Sequence, residues 1–269
     1  MASDNWAKSA SRRIRHTQID TSAPNPARVW DSMNGGRDNF ETDRRVARHL
    51  MLAAPALARA GVVGRAFRDR VVTYLAREAG IRQFIDISTG MRSDTGNTHA
   101  VARAVAPDCR VVYVANDPVV LSHARATLRS PAVDTVSVAD LDDVESFLPG
   151  VRETLDLAVP VGVILPDSLN FTANASGVVA RLAAAVSSGS HLAAIVSAPD
   201  ARLMVAVQRW NRMSPVTAYL RDRDEIASWF RGLDLIEPGV VEIHRWRPEP
   251  QEPESPPGLP LLGVVARKR

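Results

Sequence analysis

The rhythm of apolar and polar positions changes near residue 80. Before it, apolar residues recur at helical spacing: Val46, Leu50 and Leu57 around an interruption at Pro55, then Phe67, Val71, Val72 and Leu75 on one face of a helix that stops near Gly80. Upstream, Arg28-Val29-Trp30 runs into a break at Asn34-Gly35-Gly36, and Thr42 or Asp43 is placed to cap the helix that follows. From residue 81 short apolar runs alternate with helical segments. QFIDI, RVVYVA, VDTVSVA, VGVIL and HLAAIVSA read as strands, and GNTHAVARAVA, PVVLSHARATL, VESFL and ANASGVVARLAAAV as helices between them. Strands with no polar side belong in a parallel sheet covered on both faces. After the fifth strand the pattern passes to a helix in DRDEIASWFRGL and a sixth strand in LIEPGVVEIHRW. A Pro/Glu-rich loop then leads to a last strand, LLGVVARKR. No helix separates those last two strands, which permits an antiparallel pair at the edge. The division expected is a polar arm and helical cap over residues 1–80 and an α/β Rossmann-like core over 81–269.

Composition narrows the classes. Hydrophobic residues make up 45% of the 269 and charged residues 23%, an ordinary globular balance. The net charge of +3 raises the question of nucleic acid, but only Lys8 and Lys268 are lysines, and the arginines are interleaved with acids along most of the chain. No polybasic face results, so no nucleic-acid partner is expected. A lone cysteine, Cys109, rules out an intrachain disulfide and a multi-cysteine metal site. The first residues, MASDNWAKSASRRIRH, lack an apolar stretch, and no apolar run reaches the ~20 residues of a membrane helix. A cytoplasmic protein without a membrane partner is the expectation.

In open parallel sheets, ligands bind beyond the carboxyl ends of the strands. The first strand ends Asp86-Ile87-Ser88-Thr89-Gly90, and the next helix begins near Asn97. This is neither the G-x-G-x-x-G fingerprint nor a phosphate loop. Even so, Gly90 would let a cofactor approach the backbone. The second strand ends Ala115-Asn116-Asp117-Pro118, with Pro118 fitting a helical first turn. The third places Asp140 at its end, as a ligand to an exocyclic amine or as an ordinary cap. There is no metal-ligand cluster and no familiar nucleophile–base motif.

The order FIDISTG, GNTHAVARAVAPDCRVVYVANDPVVL and VADL resembles a class I S-adenosylmethionine-dependent methyltransferase. With VWDSMNGGRDNFETDR, AFRDRVVTYLAREAGIRQFIDI and PVTAYLRDRDEIASWFRGLDLIEPGVVEIHRWRP, the chain from about residue 18 onward is similar to an actinobacterial S-adenosyl methyltransferase family. That resemblance implies a mostly parallel seven-stranded sheet with an antiparallel C-terminal strand and an N-terminal helical cap. It implies S-adenosylmethionine as cofactor and a small molecule as methyl acceptor. Asp86, Ser88, Gly90 and Asn97 would cradle the methionine end, position 115 the ribose, and Asp140 with Leu141 the adenine. Gly35, Gly36, Asp38 and Asn39 would close over the site, unless they form only a turn and helix start.

Four positions depart from the family pattern: Gly64 for an Asn, Ser88 for the first glycine of the loop, Ala115 for the ribose-binding acid, and Asn170 for a His. Losing the acid and adding a Cβ at a glycine site together cost about 3–5 kcal/mol of cofactor binding. Asp117 lies two positions beyond Ala115 and so points the same way if the strand continues, while Asn116 offers a neutral substitute. Asp167, just after the fourth strand, is the first candidate for a general base. His191 and His244 are weaker candidates, and Trp30, Trp210, Trp229 and Trp246 are either acceptor-pocket walls or core. The competing expectation is a repurposed member of the fold with weakened cofactor binding, performing a cyclisation or rearrangement or only binding a ligand.

Overall fold

The computed structural model of the protein describes residues 19–88, 97–127, 132–138, 140–248, 256 and 259–269. Three helices precede the sheet: α1 (Pro26–Met33), α2 (Glu41–Ala53) and α3 (Leu57–Arg77). Alternation then brings β1 (Gln83–Ile87), α4 (Thr98–Val105), β2 (Arg110–Ala115), α5 (Pro118–Thr127), β3 (Val133–Ser137), α6 (Val144–Arg152) and β4 (Gly162–Leu165). A 3-10 turn at Ser168–Phe171 leads to α7 (Ala175–Ala185), β5 (His191–Ser197), α8 (Ala201–Met213) and α9 (Arg223–Trp229). The chain ends in β6 (Asp234–Leu235), β7 (Val241–Glu242), a short turn at Ile243–Arg245 and β8 (Leu261–Arg267).

The strands lie in the order β3-β2-β1-β4-β5-β8-β6, with β7 also beside β8. β1 to β5 run parallel, and β8 is antiparallel to β5, β6 and β7. Every residue of β1 and β4 is buried, as strands covered on both faces require. One face, with Ile85, Val112, Val163 and Leu192, packs on α6, α7 and α9. The other, with Phe84, Val111, Ile164 and Ala193, packs on α3 and α4. Phe67, Val71 and Leu75 of α3 are buried at helical spacing, each stabilising the fold by about 1.5–3 kcal/mol relative to exposure. The close approach needs Gly162, where a Cβ would stand 2.9 Å from the Phe84 ring and 3.1 Å from Leu75. A third cluster joins α1 and α2 to α8 through Val29, Val46, Leu50, Leu203 and Trp210.

Three expectations change. Asp43 is not the residue that caps α2; it sits in the first turn, and its Oδ2 accepts the Phe40 N–H at 2.9 Å. The helix Ala201–Met213 was not read from the sequence. The sixth strand, expected as one run through LIEPGVVEIHRW, is two short pieces separated by Pro238 and Gly239, the latter at φ +81°.

Candidate functional site

β1 delivers Asp86 to the carboxyl edge of the sheet, where it is buried. Its Oδ2 accepts a hydrogen bond from Thr98 Oγ1 at 2.5 Å, at the start of α4. Among the described residues its buried Oδ1 has no partner in hydrogen-bonding geometry, the Ser88 side chain lying near it. Burial holds the Asp86 carboxyl above the usual carboxylate range, against the opposing bond from Thr98. Ser88 and Asn97 are buried beside it, Asn97 preceding the first turn of α4, while Gly90 lies outside the described residues. A buried oxygen with no partner costs about 1–3 kcal/mol. A ligand ammonium group placed there would remove that cost, so the cradle fits the amino-acid end of S-adenosylmethionine.

At the end of β2, Ala115 is buried and Asn116 is exposed. Asp117 is turned inward. Its Oδ1 accepts the N–H groups of Val119 and Val120 at 2.8 and 3.2 Å, capping α5, and its Oδ2 pairs with Arg28 Nη1 at 3.3 Å. Both oxygens are committed inside the protein, so the expectation that Asp117 reaches a ribose meets a carboxylate already in use. Arg28 is itself buried; its Nε pairs with Asp43 at 3.1 Å, and its Nη2 donates to the carbonyls of Asp20 and Ala23, both at 2.9 Å. The Asp43 Oδ1 accepts the Asn25 N–H at 3.0 Å. One guanidinium thus ties the residues before α1, helix α2 and the end of β2 together.

Beyond β3, Asp140 is exposed and its Oδ1 accepts the Asp142 N–H at 2.9 Å, a local turn rather than a helix cap. Leu141 is buried against the core. Asp142 is the more enclosed acid. It accepts from Thr172 Oγ1 at 2.7 Å, and burial raises its carboxyl above the usual range. In the loop between α1 and α2, Gly35 takes φ +73°. The Asp31 Oδ2 gathers the Asp38 N–H at 2.9 Å and Asn39 Nδ2 at 2.7 Å. A Cβ at Gly36 would collide with the same carboxylate.

Above β4 and β5 lies a cavity of about 130 Å³ between cap and sheet. Its walls include Trp30 and Met33 of α1, Leu57 and Gly64 of α3, Ile195 of β5, and Trp210 of α8. Asp167, Asn170, Ser197 and Tyr219 are the polar residues among the largely apolar lining. The β4 strand pairs Ile164 with Asp86 of β1, so the turn carrying Asp167 leaves the sheet beside the cradle. The Asn170 Oδ1 accepts the Ser197 N–H at 2.8 Å, which fixes the amide and leaves its Nδ2 as donor. Of the tryptophans at 30, 210, 229 and 246, Trp30 and Trp210 line this cavity, while Trp229 and Trp246 are buried in the two cores. His191 begins β5, at the opposite end of the strand from the cavity. His244 pairs with Glu242 at 3.4 Å. Gly35, Gly36, Asp38 and Asn39 are not among the described residues that line the cavity.

The sequence reading missed Arg28, Asp31 and Thr98. Thr98 carried a signal, a hydroxyl at a helix start beyond a strand-end acid. The other two act through contacts that no local motif marks. Among the described residues no cluster of His, Cys, Asp and Glu could hold a metal ion, and no single helix is long and apolar enough to cross a membrane.

Comparison with known proteins gives a family. A model described as S-adenosyl methyltransferase matches residues 12–269. A Thermobifida fusca protein assigned provisionally as a methyltransferase is 34% identical, with a TM-score of 0.85 over 93% of this chain and 97% of its own. A DUF574 family protein from Streptomyces avermitilis is also 34% identical, with a TM-score of 0.85 over 94% of this chain and 100% of its own. The magnesium protoporphyrin IX methyltransferase of Synechocystis shares the fold, at 13% identity and TM-score 0.51 over 90% and 93% of the two chains. No curated protein matches. The architecture, the strand-end cradle and the family match agree: the chain belongs to the S-adenosyl methyltransferase family.

Proposed function

We infer that the protein methylates a small molecule held in the cavity between the helical cap and the sheet. The observation that carries this reading is the buried Oδ1 of Asp86, without a hydrogen-bond partner among the described residues, at the end of the strand beside β4, whose following turn lines an apolar cavity. When bound, the cofactor supplies an electrophilic methyl group on a sulfonium. The protein's part is to hold both partners in a near-attack pose and to exclude water. Asp86, Ser88 and Asn97 would hold the methionine end, together with Gly90. Asn116 would meet the ribose, since both oxygens of Asp117 are occupied, and Asp140 with Leu141 the adenine side. Asp167 lines the cavity and would take the proton of an oxygen or nitrogen acceptor.

Calorimetric titration with S-adenosylhomocysteine tests this. The wild-type protein is expected to bind, and Asp86→Asn to bind about 10- to 100-fold more weakly, because a charge-assisted hydrogen bond contributes ~1.5–3 kcal/mol. Equal affinities of the two proteins would remove Asp86 from the cradle. Absence of any binding would favour the repurposed reading.

A further inference from the structure

We propose that Tyr113 and His99 are positioning residues for the cofactor: the paired side chains pin the first turn of α4 to β2 and so hold Thr98 on the Asp86 carboxylate. This deepens the methylation reading and rests on it.

The sheet brings the groups together. β1 and β2 pair in parallel with Asp86 opposite Tyr113, so both side chains leave the sheet on the face that carries Phe84 and Val111 and is covered by α3 and α4. Helix α4 starts on that face without the usual help. Asn97 precedes it, yet the Asn97 side chain caps none of the N–H groups that a first turn leaves without an intrahelical partner. The Tyr113 hydroxyl supplies a cap from the neighbouring strand instead, accepting the His99 N–H at 3.0 Å. The same oxygen meets His99 Nδ1 at 2.8 Å, and the two rings stand edge to face, 6.0 Å apart at 87°.

The protonation states suit this pairing. Burial, and then the charges of Arg103 and Arg68, hold the His99 imidazole below its usual pKa, so it is neutral at pH 7 and one ring nitrogen is able to accept. Burial, and then the charge of Asp86, push the Tyr113 phenol above its usual pKa, so it keeps a proton to donate. Thr98, one residue before His99, is fully buried, and its hydroxyl bonds Asp86 Oδ2 at 2.5 Å. So short a side chain goes where its backbone goes. If the first turn of α4 shifts, Thr98 shifts with it, and the carboxylate loses the support that fixes its orientation. A ligand that uses Asp86 must then also bear the cost of ordering it. A tyrosine on β2 thus sets the aim of an aspartate on β1 through the helix that touches both.

The test is calorimetric titration of the full chain with two probes, S-adenosylhomocysteine and methylthioadenosine, the second of which lacks the amino-acid end. Tyr113→Phe removes one oxygen atom, and His99→Leu removes the ring nitrogen that faces it. Each should weaken S-adenosylhomocysteine about fivefold and leave methylthioadenosine within twofold of the wild type, because only the first probe uses Asp86. Either variant, if circular dichroism shows it folded, is a sufficient test. Should methylthioadenosine bind too weakly to measure, the same substitutions are compared in an Asp86→Asn background, where their effect on S-adenosylhomocysteine should fall below twofold. Equal weakening of both probes, or of S-adenosylhomocysteine in both backgrounds, would mark a merely structural role and overturn the proposal. Unchanged S-adenosylhomocysteine affinity in a folded variant would overturn it too, and would leave the methylation reading standing. A wild-type protein that binds no S-adenosylhomocysteine would overturn both.

Discussion

Replacing Arg28 with alanine is expected to lower the free energy of unfolding by about 3–5 kcal/mol, the cost of stranding buried charge partners. Asp43 is fully buried and Asp117 nearly so, and the same guanidinium serves both. Without it, among the described residues Asp43 keeps its bonds from Asn25 and Phe40, and Asp117 keeps the helix N–H groups of Val119 and Val120. Burial already raises the Asp117 carboxyl, and Arg28 is one of the groups that oppose the rise. The variant should therefore take up a proton at Asp117 more readily as well as unfold sooner. The carbonyls of Asp20 and Ala23 lose their donor too, so the segment before α1 should loosen. Arg28→Lys keeps the charge but not the planar fork that reaches four acceptors, and should recover only part of the loss. Urea denaturation of the three proteins measures this. A loss below 1 kcal/mol in Arg28→Ala would show that the cluster is not a structural hub.

Acid should destabilise the protein through His191. This side chain is buried at the start of β5, its Nδ1 has no hydrogen-bond partner among the described residues, and the Tyr74 ring meets it edge-on at 6.5 Å. Burial, and then the charge of Arg267, lowers its pKa from 6.5 to about 4. Below pH 6.5 the unfolded chain binds a proton that the folded protein refuses until about pH 4. Stability is therefore lost as pH falls across that window, by roughly 3 kcal/mol in total. Asp86 and Asp117 act with the opposite sign. Their raised pKa values let the folded state take up protons first, so they favour the fold as pH drops through those values. The His191 contribution is isolated by comparison with His191→Phe, whose stability should fall less between pH 6.5 and 4. Parallel curves for the two proteins would rule out His191 as the source of the slope.

The parallel strands were legible because strands buried on both faces leave nearly unbroken apolar runs, as VVYVA and VGVIL do. The helix Ala201–Met213 was not, because Met204 and Val205 are apolar yet about half exposed, at 48% and 42%. They blur the stripe formed by Leu203, Ala206 and Trp210, which are the positions that pack. The sixth strand looked continuous because its residues are apolar, while Pro238 and Gly239 decide its backbone. In the candidate site, Asp86 could be placed from its strand-end position, and Asp167 likewise. The use made of Asp117 could not, because Arg28 is 89 positions away and nothing local marks the pair. Asn170 stood out in the sequence as a residue that cannot titrate, but its fixed orientation needed the Ser197 N–H.

The position of β8 bears on how the protein is made. It separates β5 from β6 and supplies the pairing for β7, yet it follows both in the chain. Until Leu261 and the residues after it have been synthesised, β5 keeps a row of unpaired amides and carbonyls along one side, and β6 and β7 lack the neighbour they bond to. Bare strand edges recruit other chains. Pairing Ser197 with Leu261 also closes a long stretch of sequence, which places it among the slow steps of folding. A ribosome paused shortly before Leu261 would therefore carry a nearly finished sheet in its most adhesive form, and the codons of β8 are the ones that make it inert.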